Sequence, residues 1–298
     1  MNYSKDSKIG FIGCGFVGTS LGIALSRAGY DVTSVYSRTR GSAEKMIARI
    51  PDATYVPSIQ GVADMVDVIF ITTVDDVIIS MADSISWRPT QAAIHCSGVA
   101  GLNLFDGIKS AEVSLGAFHP LQAFSSIDRG PDSIKGITFA IEGTDDSIKS
   151  YLTNMAHDLE ANAINLKPED KEIYHVSGVM MGNLLTEYVA ISADLWEQIG
   201  VSREGALKAL LPMMKQVTRN LETAGIPGAI AGPYVRGDIG TVEKHINVLK
   251  RRNPDLLTFY CELALTGFRF AQEKGTLDAE TVSEITSLLS EQTGRVRK

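Results

Sequence analysis

The sequence is poor in the features that mark several large protein classes. Its 298 residues hold only three cysteines, Cys14, Cys96 and Cys261, far apart and without a CxxC pair. Such a set builds neither a disulfide ladder nor a zinc site, and it fits a reducing compartment. No apolar run approaches the roughly 20 residues that a membrane span requires. The opening "MNYSKDSK" is polar, with no signal-peptide apolar region behind it. Lysine and arginine number 28 against 35 aspartates and glutamates, a net charge of −7, so the basic face that nucleic acid demands is missing. The cluster Lys250-Arg251-Arg252 and the terminal "GRVRK" read as solvated ends. Internal repeats and low-complexity segments are absent too. These absences predict a soluble, cytoplasmic protein with no metal site and neither nucleic acid nor membrane as partner.

What is present is an ordinary globular composition, 44% hydrophobic and 21% charged, in a chain long enough for two domains with separate cores. The first half alternates short apolar runs with helical patterns. Strands are expected at 8–13, 31–37, 67–73, 92–97, 112–119 and 136–143, with helices at 16–29 and 75–86. Alternation of this kind predicts an α/β fold, a parallel sheet covered by helices on both faces. Beyond about residue 165 the chain reads as all-α. One long helical pattern opens at Pro168 and stops at Gly200, and further helices are expected at 202–224, 238–252, 254–274 and 278–292. The predicted domains are 1–165 and 166–298, without a flexible linker.

"GFIGCGFVGTSL" places Gly13-x-Gly15-x-x-Gly18 between an apolar strand and a helix. That context converts a weak pattern into the fingerprint of a Rossmann doubly wound domain. Gly13 permits the tight turn, Gly15 lets backbone amides approach a pyrophosphate, and Gly18 brings the helix close to the sheet. Cys14, Phe16 and Val17 belong to the same loop, Cys14 as a small filler and not a nucleophile. NAD sites carry an acid about 20 residues further on. Here "VYSRTRGS" offers Ser37, Arg38, Thr39 and Arg40 and no acid before Glu44. Cations and hydroxyls suit a 2′-phosphate, so NADP is the expected cofactor. The arginines also fit a solvated loop. Thr72, Thr73 and Val74 follow the third predicted strand and are expected to line the cofactor, with Asp75 as N-cap of the next helix. Ser97 and Gly98, after the fourth strand, would admit the nicotinamide ring. His95 reads equally as a ligand or as a satisfied core histidine.

Together "GFIGCGFVGTSL", "HCSG", "GAFHPLQAF", "YHVSGVMMGN" and "GPYVRGDIGTVEKH" resemble a family of Rossmann-like NADP oxidoreductases with a helical C-terminal domain of unknown function. The family is similar to ketopantoate reductase, pyrroline-5-carboxylate reductase, prephenate dehydrogenase and the 3-hydroxyacid dehydrogenases, and its second domain is of the 6-phosphogluconate dehydrogenase C-terminal kind. The resemblance implies hydride transfer by NADPH and homodimerisation through the helical domain. Ketopantoate reductase uses a Lys and, two turns on, an Asn of its long helix. Here Asn183 takes the Asn role and His175, eight residues earlier and nearly on the same face, stands where the Lys would be, with Lys171 one turn before it. A histidine can still give a proton near neutral pH. His175, Asn183 and Lys171 are therefore the catalytic candidates, although His175 also fits a helix-surface residue. Gly178 and Gly182 suggest close approach of a backbone or of the nicotinamide.

His119, held extended by Pro120, and Gln122 either reach a substrate or fix their loop. Prephenate dehydrogenases carry a similar His-Pro. In "GPYVRGDIGTVEKH" Asp238 suits a helix N-cap, and Asp238, Thr241 and His245 share a helical face. Arg236 suits a bidentate grip on a carboxylate. The segment is expected to wall the substrate side of an interdomain cleft, with Tyr260 joining it or lying in the core. Three functional readings follow: an NADPH-dependent reductase of a small carboxylate-bearing carbonyl such as a 2-oxo acid, an imine reductase of the pyrroline-5-carboxylate type, or an NADP-binding regulatory protein without turnover.

Overall fold

The computed structural model describes residues 3–109 and 112–294; most of the basic "GRVRK" terminus and the first two residues lie outside them. The chain divides into two compact units, Met1–Tyr188 and Val189–Lys298, whereas the sequence suggested domains of 1–165 and 166–298.

The first unit is built on one eight-stranded sheet. Its strands are β1 (Ile9–Ile12), β2 (Val32–Tyr36), β3 (Thr54–Tyr55), β4 (Val68–Ile71), β5 (Ala92–His95), β6 (Ser114–Pro120), β7 (Thr138–Gly143) and β8 (Asn162–Asn165). They lie in the order β3-β2-β1-β4-β5-β6-β7-β8. All neighbours are parallel except β6 and β7. The expected all-parallel sheet is thus corrected at one pairing, and β3 and β8 join the six strands foreseen. Helices α1 (Phe16–Arg27), α2 (Arg40–Ile47), α3 (Ile59–Met65), α4 (Asp75–Asp83) and α5 (Asp146–Asp158) connect the strands.

β1 and β4 are fully buried apolar quartets, as a strand covered on both faces must be. Phe11 of β1 stacks on Phe70 of β4 at 5.0 Å, and Phe118 of β6 on Phe139 of β7 at 4.0 Å. One apolar cluster gathers these phenylalanines with Leu21, Ile148 and Leu152, while Ile12, Ile69, Ile78 and Phe105 belong to a second. The strand order reverses beside β1, and β1 and β4 run in register with Ile12 opposite Ile71. Their carboxyl ends therefore deliver Gly13 and Thr72 side by side at the switch point where open α/β sheets bind ligands.

The long helical pattern is present but interrupted. α6 (Lys171–Val179) passes through a π-helical turn, Met180–Leu184, into α7 (Leu185–Glu197). Eight residues of uninterrupted α-helix leave about 80° between two side chains. A π turn absorbs one extra residue, so His175 and Asn183 stand as if seven positions apart, about 20° off. The shared face that spacing suggested depends on this turn.

The second unit is helical: the end of α7, then α8 (Arg203–Gly228), α9 (Pro233–Arg236), α10 (Ile239–Arg252), α11 (Pro254–Glu273) and α12 (Ala279–Ser290). α8 is broken by non-helical backbone at Gly225 and Ile226. Val242, Ile246, Leu257, Cys261, Phe268, Ile285 and Leu289 form its core, contributed by α10, α11 and α12. Among the described residues no helix is long and apolar enough to cross a membrane.

Candidate functional site

Gly13 adopts a φ of +110°, and a Cβ there would strike the Thr72 backbone at 2.8 Å. A Cβ on Gly18 would lie 2.3 Å from the Gly13 carbonyl oxygen and from Thr72 Oγ1. These two glycines are required by packing, and Thr72 Oγ1 ties the loops together by donating to the Gly13 carbonyl at 2.7 Å. Gly15 is different: a Cβ there meets nothing within 4 Å. It is the N-cap of α1, with no side-chain cap and no acid in the first turn, so the free amides of the helix start face open space. A cavity of about 690 Å³ occupies that space. Gly13, Cys14, Gly15, Phe16, Val17, Ser37, Arg38, Thr39, Thr72, Thr73 and Val74 all line it. Tyr36, Ser42, Met81 and Phe124 line it as well, unforeseen in the sequence; Tyr36, Ser42 and Phe124 lie in motifs already singled out, whereas Met81 carries no local signal.

The basic loop resolves into two roles. Arg40 donates from Nε to Glu44 at 2.9 Å and lies over the Tyr55 ring at 5.4 Å. Arg38 is the arginine on the cavity wall. Cys14 is buried, its thiol pushed up to about 12 by burial and its Sγ 3.5 Å from the Tyr36 carbonyl oxygen, which suits a filler. Thr73 Oγ1 is buried without a hydrogen-bond partner in a residue lining this cavity.

A second cavity of about 370 Å³ lies in the same unit, and the walls include His119, Gln122, His175, Gly178, Gly182 and Asn183. Gln122 lines both cavities. Gly98 lies against this pair of histidines, since a Cβ on it would fall 2.6 Å from His119 Nε2 and 2.6 Å from His175 Cδ2. The imidazoles of His119 and His175 stand 6.2 Å apart. His119 Nδ1 is 2.9 Å from the Tyr174 hydroxyl, a partner the sequence did not suggest. Burial, with His175 and Lys171 close by, lowers the His119 pKa to about 4.

Several candidates take other roles. Lys171 is 3% exposed and lines neither cavity; its Nζ lies 3.4 Å from Glu142 on β7, and burial lowers its pKa while Glu142 opposes the shift. It is a buried ion-pair partner and not a group on the cavity wall. Asp75 is not an N-cap: that position falls on Val74, and the Asp75 carboxylate accepts from Ser97 Oγ at 2.6 Å. Ser97 Oγ also accepts from the amide of Ala100 at 3.1 Å, so the hydroxyl expected at the nicotinamide braces its own loop. His95 is a satisfied core histidine. Its Nδ1 accepts from the Ser97 amide at 3.1 Å and its Nε2 donates to the Gly101 carbonyl at 3.1 Å.

Arg236, Asp238, Thr241 and His245 belong to the second unit and line neither cavity. Asp238 is the N-cap of α10 as expected, accepting from the Thr241 amide at 3.1 Å and hydroxyl at 2.7 Å. Those bonds, with Arg236 and Lys244 nearby, hold its carboxyl below the usual range. His245 Nδ1 is 2.8 Å from the Tyr260 hydroxyl, which also receives the Tyr234 hydroxyl at 2.5 Å. Arg236 is largely exposed, 3.9 Å from Asp238 Oδ2. Among the described residues no group of three or more His, Cys, Asp or Glu stands where it would hold a metal ion.

Comparison with known proteins agrees with this architecture. Residues 4–120 match the model of the Rossmann-like domain, and residues 137–266 match a domain of unknown function, DUF2520. The two matched stretches follow one another along the chain. No curated protein matches it. Among solved structures, a candidate NADP oxidoreductase from Bacteroides fragilis superposes with a TM-score of 0.68 at 22% identity, over 95% of this chain and 99% of that one. The pyrroline carboxylate reductase of Plasmodium falciparum with NADP bound gives 0.58 at 15% identity, over 98% and 99% of the two chains. An imine reductase from Pseudomonas gives 0.59 at 18% identity, over 96% and 99%. At these identities the likeness is one of fold: this chain has the fold of those oxidoreductases.

Proposed function

We propose that this chain is an NADPH-dependent reductase of a small carbonyl compound, with a carboxylate-bearing 2-oxo acid as the first candidate. The observation that carries the reading is Gln122, which lines both the glycine-loop cavity and the histidine cavity. The residues fit the cofactor: Gly15 leaves the room a pyrophosphate needs, with the amides of α1 beyond it. Arg38, Ser37 and Thr39 line the same cavity, and a cation with two hydroxyls suits a 2′-phosphate. A nicotinamide cofactor held there would supply hydride for reduction of a carbonyl. Asn183 and His119 orient the carbonyl oxygen and His175 gives it a proton, while the Gln122 amide fixes its own loop, donating to the Ser133 carbonyl and accepting from the Ala123 amide. Leu121, Val179 and Met181 give the cavity an apolar wall.

The fold's occurrence in pyrroline carboxylate and imine reductases supports a second reading, reduction of a C=N bond. We also propose a homodimer through the helical domain: Leu207, Leu211, Met214, Val217 and Leu221 are exposed at helical spacing along α8.

The test is a titration of NADPH and NADH by nicotinamide fluorescence. Arg38→Ala should weaken NADPH about 10- to 100-fold, the worth of a charge-assisted bond, and leave NADH unchanged. Arg40→Ala, already paired with Glu44, should do far less. NADH binding as tight as NADPH in the native chain would sink the assignment. NADPH oxidation is then followed with 2-oxo acids and cyclic imines, and silence across both with tight NADPH binding would leave a regulatory protein.

A further inference from the structure

His119 ends up neutral with a single ring proton, and the neighbouring phenol decides where that proton sits. Its pKa is lowered to about 4, while burial pushes the Tyr174 hydroxyl up to about 12, so at neutral pH both keep one proton. Their one hydrogen bond, 2.9 Å from Nδ1 to the phenolic oxygen, can be made in two ways. Either arrangement leaves one proton without an acceptor among the described residues, the phenol's if Nδ1–H donates and the Nε2 proton if the phenol does. The phenol is much the stronger acid of the two and so the better donor: it donates to Nδ1, and the imidazole proton moves to Nε2. The two rings meet edge to face at 5.6 Å and 89°, which holds the imidazole in this orientation. Nε2 is the atom turned toward Gly98, the backbone that both histidines contact.

We propose that Tyr174 locks His119 in its Nε2–H tautomer, so that the cavity offers a neutral N–H donor and takes a carbonyl oxygen in preference to an iminium nitrogen. An oxygen gaining negative charge accepts from N–H and is stabilised as it does so. An iminium nitrogen has no lone pair and brings its own N–H and positive charge, so it meets donor against donor. The nearby charges do not rescue it, because Lys171 is cationic and Glu142 is already paired with it. Tyr174 is a positioning residue acting through His119, and the substrate preference rests on the reductase reading above.

The tautomer is measured directly on the full chain without cofactor, with ¹⁵N-labelled histidine and long-range ¹H–¹⁵N correlation at pH 7. Five imidazoles are present, and His119→Asn assigns the one in question. A protonated Nε2 and bare Nδ1 are expected, collapsing to averaged shifts in Tyr174→Phe. A proton on Nδ1 in the native protein overturns the proposal whether or not the variant folds, as does a pattern unchanged in a folded Tyr174→Phe. This readout needs no turnover, so it stands apart from the reductase reading, which fails alone if NADPH does not bind. For the preference, kcat/KM on 2-oxo acids should exceed that on cyclic imines by at least about tenfold, and Tyr174→Phe should narrow the gap. Faster turnover of imines with the Nε2–H tautomer in place would refute the selectivity.

Discussion

Gly98 lies beneath two imidazoles at once, its missing Cβ 2.6 Å from both His119 Nε2 and His175 Cδ2. No side chain fits there unless the rings move. Both are side chains at a cavity wall, so they can yield, and the cost in stability should be the ordinary ~1–3 kcal/mol of overpacking. The cost in rate should be larger, because a reacting group displaced by about 1 Å loses on the order of 100-fold. Gly98→Ala is therefore expected to keep its circular dichroism spectrum and its NADPH affinity while kcat falls by about two orders of magnitude. Unchanged kcat would show that the two rings are not at the chemistry.

The Lys171–Glu142 pair joins the start of α6 to β7 inside the first unit, at 3% and 10% side-chain exposure. Removing one partner leaves the other charge buried alone, which costs about 3–5 kcal/mol. Lys171→Met should lower stability by that amount in urea unfolding. Lys171→Met with Glu142→Leu should recover most of it, since an apolar pair of similar volume avoids the desolvation both charges now bear. If the double variant is as unstable as the single one, the two residues are not coupled as the 3.4 Å contact implies.

His95 links stability to pH. Its two ring nitrogens are committed, one accepting from Ser97 and one donating to Gly101, and burial lowers its pKa from 6.5 to about 3. Below 6.5 the unfolded chain takes up a proton that the folded chain refuses. Stability is thus complete above pH 6.5 and declines as pH falls toward 3. At pH 5 this one group accounts for a loss of about 2 kcal/mol relative to pH 7. His95→Gln should be less stable at every pH but lose less between pH 7 and 5, and equal slopes in the two proteins would remove His95 as the cause.

The cofactor cavity was legible because its determinants are local. Three glycines between strand and helix, the loop Ser37–Thr39 and the loop Thr72–Val74 each sit at a strand's carboxyl end, so a correct strand assignment places them together. β3 escaped notice because it is two residues long, and β8 because "NAIN" offers little apolar signal. The antiparallel turn of β7 depends on the chain's path over the sheet, which no local pattern encodes. The partners of the candidate residues were hidden for the same reason: Glu142 lies 29 positions from Lys171, and Tyr174 lies 55 from His119. Tyr174 did carry one signal, its place beside His175 in a motif already singled out. Arg236 and Thr241 drew attention by residue type, yet Thr241 is spent on the cap of α10.

Gly182 was expected to allow close approach of a backbone or of the nicotinamide. A Cβ at this position would have only the Ala123 Cβ at 3.9 Å, an ordinary contact, whereas one at Gly178 would press on Leu121 Cδ1 at 2.9 Å. Gly182 is therefore not demanded by packing; its absent side chain is room in the histidine cavity, next to Asn183. Alanine restricts the unfolded chain and favours the helix by about 1 kcal/mol over glycine. Gly182→Ala should raise the melting temperature slightly, raise KM for the carbonyl substrate by filling part of its space, and leave kcat nearly intact. A lower melting temperature would mean that the π turn itself needs glycine, and an unchanged KM would place the substrate away from this wall.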